Sequence, residues 1–139
     1  MESRKNVAIE KHKSGYNCAQ SVALAYADLV DMAPEELFAV TEGFGLGGGN
    51  MQGTCGALSG AIALVGLIHS CRDLEHPATK AQTYGLGREM LEAFKERNGS
   101  VLCHELKGVG TGKVLRSCPD CIMDACEFFE KLYEARLKK

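Results

Sequence analysis

Apolar residues recur along most of the chain at the three- and four-residue spacing of an α-helix. Asn17 is a good N-cap residue, and the apolar stripe that follows it comprises Cys18, Val22, Ala25 and Leu29. No segment shows the strict alternation of apolar and polar residues that is typical of a half-buried strand. The pattern therefore predicts an all-α protein, folded as a bundle of about five helices.

Proline and glycine mark the borders of another predicted helix in the first half of the chain. Pro34 suits the first helical position, and Gly43 suits the C-terminal cap with Phe44 as its hydrophobic contact. A more polar segment over residues 3–14 is expected to form a helix before it. We draw no function from that first segment.

Two further helices are predicted in the second half of the chain. The longer one runs from Ala78 to Arg97 and stops at Asn98 and Gly99. Its predicted apolar stripe comprises Tyr84, Gly87, Leu91 and Phe94. The last helix begins at Cys118, with proline in its first turn, and a loop that carries Cys103 in at most one helical turn precedes it.

The most apolar segment, residues 61–68, is apolar on nearly all sides, which predicts a buried central helix. Gly56 and Gly60 lie four residues apart at its start, a spacing that lets two helix backbones approach closely. A chain of 139 residues is long enough for one substantial core, so we expect a single cysteine-rich helical domain over residues 1–139.

A glycine-rich loop leads into this central helix, and eight of the eighteen residues from Gly43 to Gly60 are glycine. Such a run marks backbone that turns sharply or comes very close to another group. We expect Thr54 to be the N-cap and Cys55 the first helical residue, beside the free amides of the helix end. That position favours the thiolate, so Cys55 is expected to be the most reactive thiol.

Composition and charge exclude several classes of function. The formal net charge is −2 and no basic cluster occurs, which argues against a nucleic acid partner. The longest apolar run falls short of the roughly 20 residues of a membrane helix, so no membrane insertion is expected. The first residues lack the apolar core of a signal peptide, and we expect a cytoplasmic protein.

Seven cysteines are many for a cytoplasmic chain of 139 residues. Where thiols are kept reduced, such enrichment indicates redox chemistry or metal binding rather than a disulfide scaffold. The alternative is that some of them are small buried hydrophobes, which free cysteines often are. Because seven is odd, at least one cysteine has no partner within the chain.

Four cysteines are predicted at related positions. Cys18, Cys55 and Cys118 each lie at or next to the beginning of a helix, and Cys103 opens the turn in the loop. If these helix ends converge, they form a thiol-rich pocket beneath the glycine loop, in which several thiols have a lowered pKa.

These segments resemble a known family of redox-active proteins, which is named for its C, GCAxxG, C, C cysteine pattern. The resemblance extends from about Gly15 to the last helix and rests on residues 17–20, 55–60, 103–108 and 118–125. It implies that Cys18, Cys55, Cys103 and Cys118 are the family cysteines and that Cys71, Cys121 and Cys126 are additional in this chain. The second element reads Cys-Gly-Ala-Leu-Ser-Gly here, where the family name has Gly-Cys-Ala. Redox activity is implied, but no substrate, reaction or cofactor.

Two chemistries fit these cysteines. Pairs of thiols could cycle between dithiol and disulfide, as in a thiol–disulfide oxidoreductase, with Cys118 and Cys121 as an added CxxC motif. The partner would then be a redox protein or a small thiol. Alternatively, Cys18, Cys55, Cys103 and Cys118 bind zinc or an iron–sulfur cluster in an electron carrier or sensor. Their spacings of 37, 48 and 15 residues match no standard metal signature, and in a third interpretation the protein is a non-catalytic accessory protein.

The glycine loop and the histidines add candidate contacts. Gly43, Gly45 and Gly48 match a dinucleotide fingerprint in letters, but the helix before them replaces the strand that this motif requires. We expect the loop to approach a bound group or sulfur closely, and the candidate positions are Gly48, Gly49, Gly53 and Gly56. His104 is a candidate metal ligand or proton donor, and His12 is expected at the surface.

Overall fold

The computed structural model describes residues 1–139 and contains eight helices and no strand. They are α1 (Lys5–Lys13), α2 (Cys18–Ala25), α3 (Pro34–Glu42), α4 (Gly45–Gly48), α5 (Gly56–His69), α6 (Lys80–Asn98), α7 (Cys103–Lys107) and α8 (Cys118–Leu132). A 3₁₀ turn (Ala27–Leu29) follows α2, and a π-helical turn (Tyr133–Leu137) follows α8. The all-α prediction is confirmed, whereas about five helices is too few, because α4 and α7 are short extra turns between longer helices.

Several predicted helix ends are confirmed with the expected chemistry. Asn17 caps α2 by accepting from the Gln20 amide at 2.9 Å, and the Gln20 side chain accepts from the Asn17 amide at 3.0 Å. Ser117 caps α8 through the Asp120 amide. Gly99 ends α6 with φ = 86°, a conformation that favours glycine.

Helix α5 is the centre of the bundle, and residues of both its faces, such as Leu58 and Leu64, are fully buried. Its glycines allow α2 to lie directly against it, because a Cβ at Gly60 would be 2.4 Å from the Ala19 carbonyl oxygen. A Cβ at Gly56 would be 3.0 Å from the Phe44 carbonyl oxygen and 3.5 Å from the Ala19 amide nitrogen. The predicted close approach of two helices at these glycines is confirmed.

Helix α8 completes the core by packing against α1, α2, α5 and α6. Ile122, Ala125 and Phe129 of α8 are fully buried. The Phe129 ring contacts the Tyr26 ring with their centroids 4.7 Å apart. No helix of the structure combines the length and the apolar character needed to cross a lipid bilayer.

Two local predictions at the glycine-rich loop are wrong. Thr54 is not the N-cap of α5, because it pairs with Leu102 in an isolated antiparallel bridge. Cys55 continues this extended segment by donating its amide to the Val101 carbonyl at 2.7 Å, so it becomes the N-cap itself. Gly43 is the C-cap of α3 as predicted, although in a right-handed conformation with φ = −73°, but Phe44 is 41% exposed and does not cover the cap.

The predicted apolar stripe of the long helix α6 is correct only in part. Gly87 and Phe94 are buried, but Tyr84 is 62% exposed. Met90 occupies the core instead, at 2% exposed. Residues 80–84 at the start of α6 are exposed except for the half-buried Thr83, so Tyr84 lies outside the core.

Two glycines of α5 test the importance of this close approach. Because a Cβ at Gly60 would collide with backbone atoms, we expect Gly60→Ala to lower the free energy of unfolding by about 2–3 kcal/mol. Nothing lies within 4 Å of a Cβ at Gly66, so the control Gly66→Ala should raise it by about 0.5–1 kcal/mol. Urea denaturation followed by circular dichroism measures both, and equal effects would contradict the packing described.

Candidate functional site

Five of the seven cysteines line one cavity of about 320 Å³ at the end of the bundle. They are Cys18, Cys55, Cys103, Cys118 and Cys121, the five predicted site cysteines. The other lining residues are His12, Asn17, Leu46, Gly56, Leu106, Lys107 and Arg116. The cavity is therefore rich in sulfur and basic groups and contains no carboxylate.

The cavity forms where the N-terminal ends of four helices meet. Cys18 begins α2, Cys55 caps α5, Cys103 begins α7, and Cys118 and Cys121 lie in the first turn of α8. Ala19 packs on Gly56. Cys18 precedes Ala19 and Cys55 precedes Gly56 in the sequence, so this contact brings the two cysteines to the same cavity.

The glycine loop folds over Cys103. Leu46 and Gly47 have left-handed backbone angles, with φ of 55° and 59°, which turn the chain sharply at α4. A Cβ at Gly47 would be 2.5 Å from Cβ of Cys103. The Cys103 amide donates to the Gly53 carbonyl at 3.0 Å, and the Gly53 amide donates to the Gly47 carbonyl at 2.9 Å. The loop thus fixes α7 by direct backbone contact.

The four candidate glycines therefore have different roles. Gly56 lines the cavity, whereas Gly48, Gly49 and Gly53 do not. Gly48 and Gly49 supply left-handed turns with φ of 83° and 95°. A Cβ at Gly53 would be 2.7 Å from the Gly47 carbonyl oxygen, so this glycine serves packing within the loop.

Cys18 and Cys118 form one pair of interacting thiols, and both are half-buried. The neighbouring Cys18 thiol lowers the pKa of Cys118 to about 5, and the charge of the Lys107 ammonium lowers it further. Interaction with Cys118 and burial raise the pKa of Cys18. Cys118 is therefore the more acidic thiol of the pair and is a thiolate at neutral pH.

Cys55 and Cys121 form a second pair deeper in the cavity, at 5% and 3% exposed. The neighbouring Cys121 thiol lowers the pKa of Cys55, and the amides of Ala57 and Leu58 at the start of α5 lower it further. Interaction with Cys55 and burial raise the pKa of Cys121, whose thiol donates to the Arg116 carbonyl at 3.9 Å. The predicted stabilisation of the Cys55 thiolate by amides at the helix start is therefore present. These amides belong to Ala57 and Leu58 of α5 and not to the loop before it.

Cys103 lines the same cavity and belongs to neither pair. Burial raises its pKa, although the charge of Lys107 acts in the opposite direction. The charges of Cys55 and Cys118 also raise it. Cys103 therefore ionises less readily than Cys55 and Cys118.

Lys107 and Arg116 bring positive charge to the cavity in different ways. Arg116 is held by Asp124 of α8 through two hydrogen bonds of 3.0 and 3.2 Å, so its charge is largely balanced. Asn98 also donates to Asp124, at 3.0 Å. Lys107 has no carboxylate partner, and the charged groups that raise its pKa are the thiols around it.

The remaining candidate residues lie away from the cavity. His104 does not line it, because its ring nitrogen Nδ1 is 3.1 Å from the Met51 carbonyl oxygen. Cys71 is exposed beyond the far end of α5. Cys126 is fully buried in the core, where burial raises its pKa to about 12.

The arrangement of side chains also bears on metal binding. No group of three or more His, Cys, Asp and Glu side chains is placed to hold a metal ion. The cysteines are free, and the four family cysteines do not form a ligand cage as they stand. Instead, two of them form one pair and a third pairs with the additional Cys121.

Three basic residues of the cavity were not among the predicted site residues. His12 lies at the end of α1 and was expected at the surface, but it lines the cavity and lowers the pKa of Cys118. Lys107 lies four residues after Cys103, one helical turn away, which is a signal that the sequence contains. Nothing in the sequence indicates that Arg116 or His12 would reach the same cavity.

These features define a small, all-helical, cysteine-rich protein whose thiols meet at converging helix ends. The chain belongs to the family described as "Putative redox-active protein (C_GCAxxG_C_C)", whose pattern matches residues 16–132 of 139. The family membership expected from the sequence is thereby confirmed. Comparisons with curated proteins and with solved structures give no match.

The contact between the glycine loop and Cys103 predicts a difference between two neighbouring glycines. Gly47→Ala and Gly48→Ala both place a side chain at positive φ, which costs about 1 kcal/mol. Only the Gly47 variant also collides with Cys103, so its unfolding free energy should fall by about 1–3 kcal/mol more. Alkylation of Cys103 should accelerate in that variant alone. Equal alkylation in both would show that the loop does not hold Cys103.

The lowered pKa of Cys118 predicts an unusual pH dependence of its alkylation. Because the thiolate reacts and the fraction of thiolate rises with pH through the pKa, the rate at Cys118 should rise near pH 5 and be flat above pH 7. An ordinary thiol, with a pKa of about 8.5, keeps accelerating to pH 9. In Lys107→Met the plateau should move to higher pH, because a stabilising cation is lost. Peptide-resolved mass spectrometry measures the rates, and an ordinary profile at Cys118 would contradict the assignment.

Proposed function

We propose that the protein is a thiol–disulfide redox protein in which Cys118 is the attacking thiolate and Cys18 the resolving thiol. The observation that carries the proposal is that Cys18 and Cys118, both half-buried, line one small cavity and lie close enough to shift each other's pKa. Two thiols on the wall of one small cavity need little movement to form a bond. Attack by Cys118 replaces the expectation that Cys55 is the most reactive thiol.

Exposure supports this order of the thiols. Cys118 and Cys18 are both half-buried, so a disulfide that enters the cavity reaches them first. Cys55 and Cys121 lie behind them and are almost fully buried. An incoming disulfide is therefore shielded from Cys55, although the pKa of Cys55 is also lowered. We assign the inner pair the role of a second dithiol that exchanges with the outer pair.

The proposed reaction transfers two electrons. The Cys118 thiolate attacks one sulfur of the incoming disulfide, whose S–S bond breaks and releases a first thiolate. Cys18 then loses its proton to this thiolate and attacks the Cys118 sulfur. That step releases the second thiolate and leaves a Cys18–Cys118 disulfide. The two cysteines are oxidised, and the incoming disulfide is reduced to one thiol and one thiolate.

Lys107 supports the first step by its position beside Cys118. Its ammonium group stabilises the thiolate before the attack. A thiol with a pKa well below neutrality is fully ionised at pH 7. Its thiolate attacks a disulfide more slowly than a more basic thiolate does, because nucleophilicity falls as the pKa falls. The gain is that reactivity does not depend on pH across the neutral range.

A thiol count under controlled redox conditions tests the proposal. Reduced protein, prepared without oxygen, is equilibrated in dithiothreitol buffers of increasing oxidised fraction and quenched with an alkylating agent. We expect the first oxidation to remove two thiols, and peptide mapping to assign them to Cys18 and Cys118. Cys118→Ser should abolish this step, whereas the exposed control Cys71→Ser and the core control Cys126→Ala should keep it.

Metal analysis of the same preparation separates the alternative. Iron or zinc in stoichiometric amount, released by Cys118→Ser and not by Cys71→Ser, would identify the metal-binding function in place of the proposed one. A thiol count that stays constant over the whole range of buffers, without bound metal, would favour the accessory role. Either result would overturn the thiol–disulfide proposal.

A further inference from the structure

The cavity has the dimensions of a small-molecule site. Its volume of about 320 Å³ lies at the lower end of the range for small ligands, about 300–1,000 Å³. Cys18 and Cys118 line this concave space, and Leu46 and Leu106 add apolar contacts. A small molecule can place an atom against these sulfurs, whereas the flat face of a folded partner protein contacts mainly the rim.

The charges of the cavity select among small molecules. Its charged or titratable nitrogen groups belong to His12, Lys107 and Arg116, and no carboxylate lines it. Arg116 is already paired with Asp124. Lys107 is half-buried and its counter-charge is the Cys118 sulfur beside it.

The redox step removes that counter-charge. When the Cys118 thiolate forms a bond to another sulfur, its negative charge leaves with the departing thiolate. Lys107 then remains as a half-buried cation without a partner, which is an unfavourable state. A substrate with its own carboxylate gives Lys107 a new ion-pair partner. This ion pair is strongest in the mixed disulfide and in the transition state that leads to it, because the Cys118 negative charge is then lost.

We propose that the substrate is a small-molecule disulfide that carries a carboxylate, which pairs with Lys107 while one of its sulfurs meets Cys118. This inference rests on the proposed thiol–disulfide function and narrows it from any disulfide to an anionic one of low molecular weight. The electrons and atoms balance as for that function: two protein cysteines become a disulfide, and the substrate becomes one thiol and one thiolate.

Three matched disulfides test the charge preference. They are 3,3′-dithiodipropionate, bis(2-hydroxyethyl) disulfide and cystamine, which are anionic, neutral and cationic around similar two-carbon arms. The second-order rate constant for oxidation of the reduced protein is measured with each at pH 7 by stopped flow and mass spectrometry. We expect the anionic compound to react on the order of tenfold faster than the neutral one, and the cationic one to be slowest. The preference should decrease with added salt.

Variants of Lys107 show whether that residue is the origin of the preference. The ratio of the anionic to the neutral rate is used, because a change in the fraction of Cys118 thiolate cancels in it. Lys107→Met should reduce the ratio to about one, and Lys107→Arg should retain most of it. The exposed lysine control, Lys113→Met, should leave the ratio unchanged.

The outcomes separate the two proposals. Equal rates for the three compounds, or a ratio unchanged in Lys107→Met, would overturn the anionic substrate while leaving the thiol–disulfide function in place. If a protein disulfide oxidises the protein and none of the three compounds does, the anionic small-molecule substrate is likewise overturned and the thiol–disulfide function stays in place. If neither small disulfides nor a protein disulfide oxidise Cys18 and Cys118, the proposed function fails and the substrate inference fails with it.

Discussion

The close approach of α2 to α5 is the constraint on which the rest of the structure depends. Gly60 and Gly56 leave no room for a side chain, so Ala19 of α2 rests directly on the α5 backbone. Cys18 and Cys55 are the immediate neighbours of Ala19 and Gly56 in the sequence. A backbone contact required for packing therefore also sets the relative position of two thiols, and core and site cannot be altered independently.

Around this contact, hydrogen bonds and charge distribute the protons unevenly among the thiols. In each pair the pKa of one cysteine is lowered and that of the other is raised, and the choice follows from the surroundings. Cys118 lies beside the Lys107 ammonium, and Cys55 lies at the free amides of α5. Neighbouring thiolates would repel one another, so lowering the pKa of one thiol in each pair and raising that of the other reduces this repulsion within the cavity.

The two pairs also differ in their access to solvent, which gives the site an order. Cys18 and Cys118 are half-buried, whereas Cys55 and Cys121 are almost fully enclosed. Asp124 of α8 accepts a hydrogen bond from Arg116 and so holds this cavity-lining side chain in place. The family is described as redox-active, and a graded set of thiols with one accessible pair is a physical basis for such activity.

Much of the architecture could be predicted from the sequence because it depends on local chemistry. The capping residues Asn17 and Gly99 define helix ends through their own backbone preferences. The position of four cysteines at or near helix starts could be predicted in the same way, but the convergence of those helix ends could not, because it depends on how the helices pack. The pairing of Cys55 with Cys121 could not be predicted from the sequence, because these two residues meet only through the tertiary packing of α8 on α5. The bridge that displaces Thr54 from the cap also depends on a distant segment, at Leu102.

A crystal structure of the oxidised protein tests the account most directly. We predict continuous electron density between the sulfur atoms of Cys18 and Cys118 at about 2.05 Å, the length of a disulfide, with α2 still resting on α5 at Gly60. Density for a metal ion or cluster bound by Cys18, Cys55, Cys103 and Cys118 would contradict it. So would an oxidised protein in which these two sulfurs remain separate.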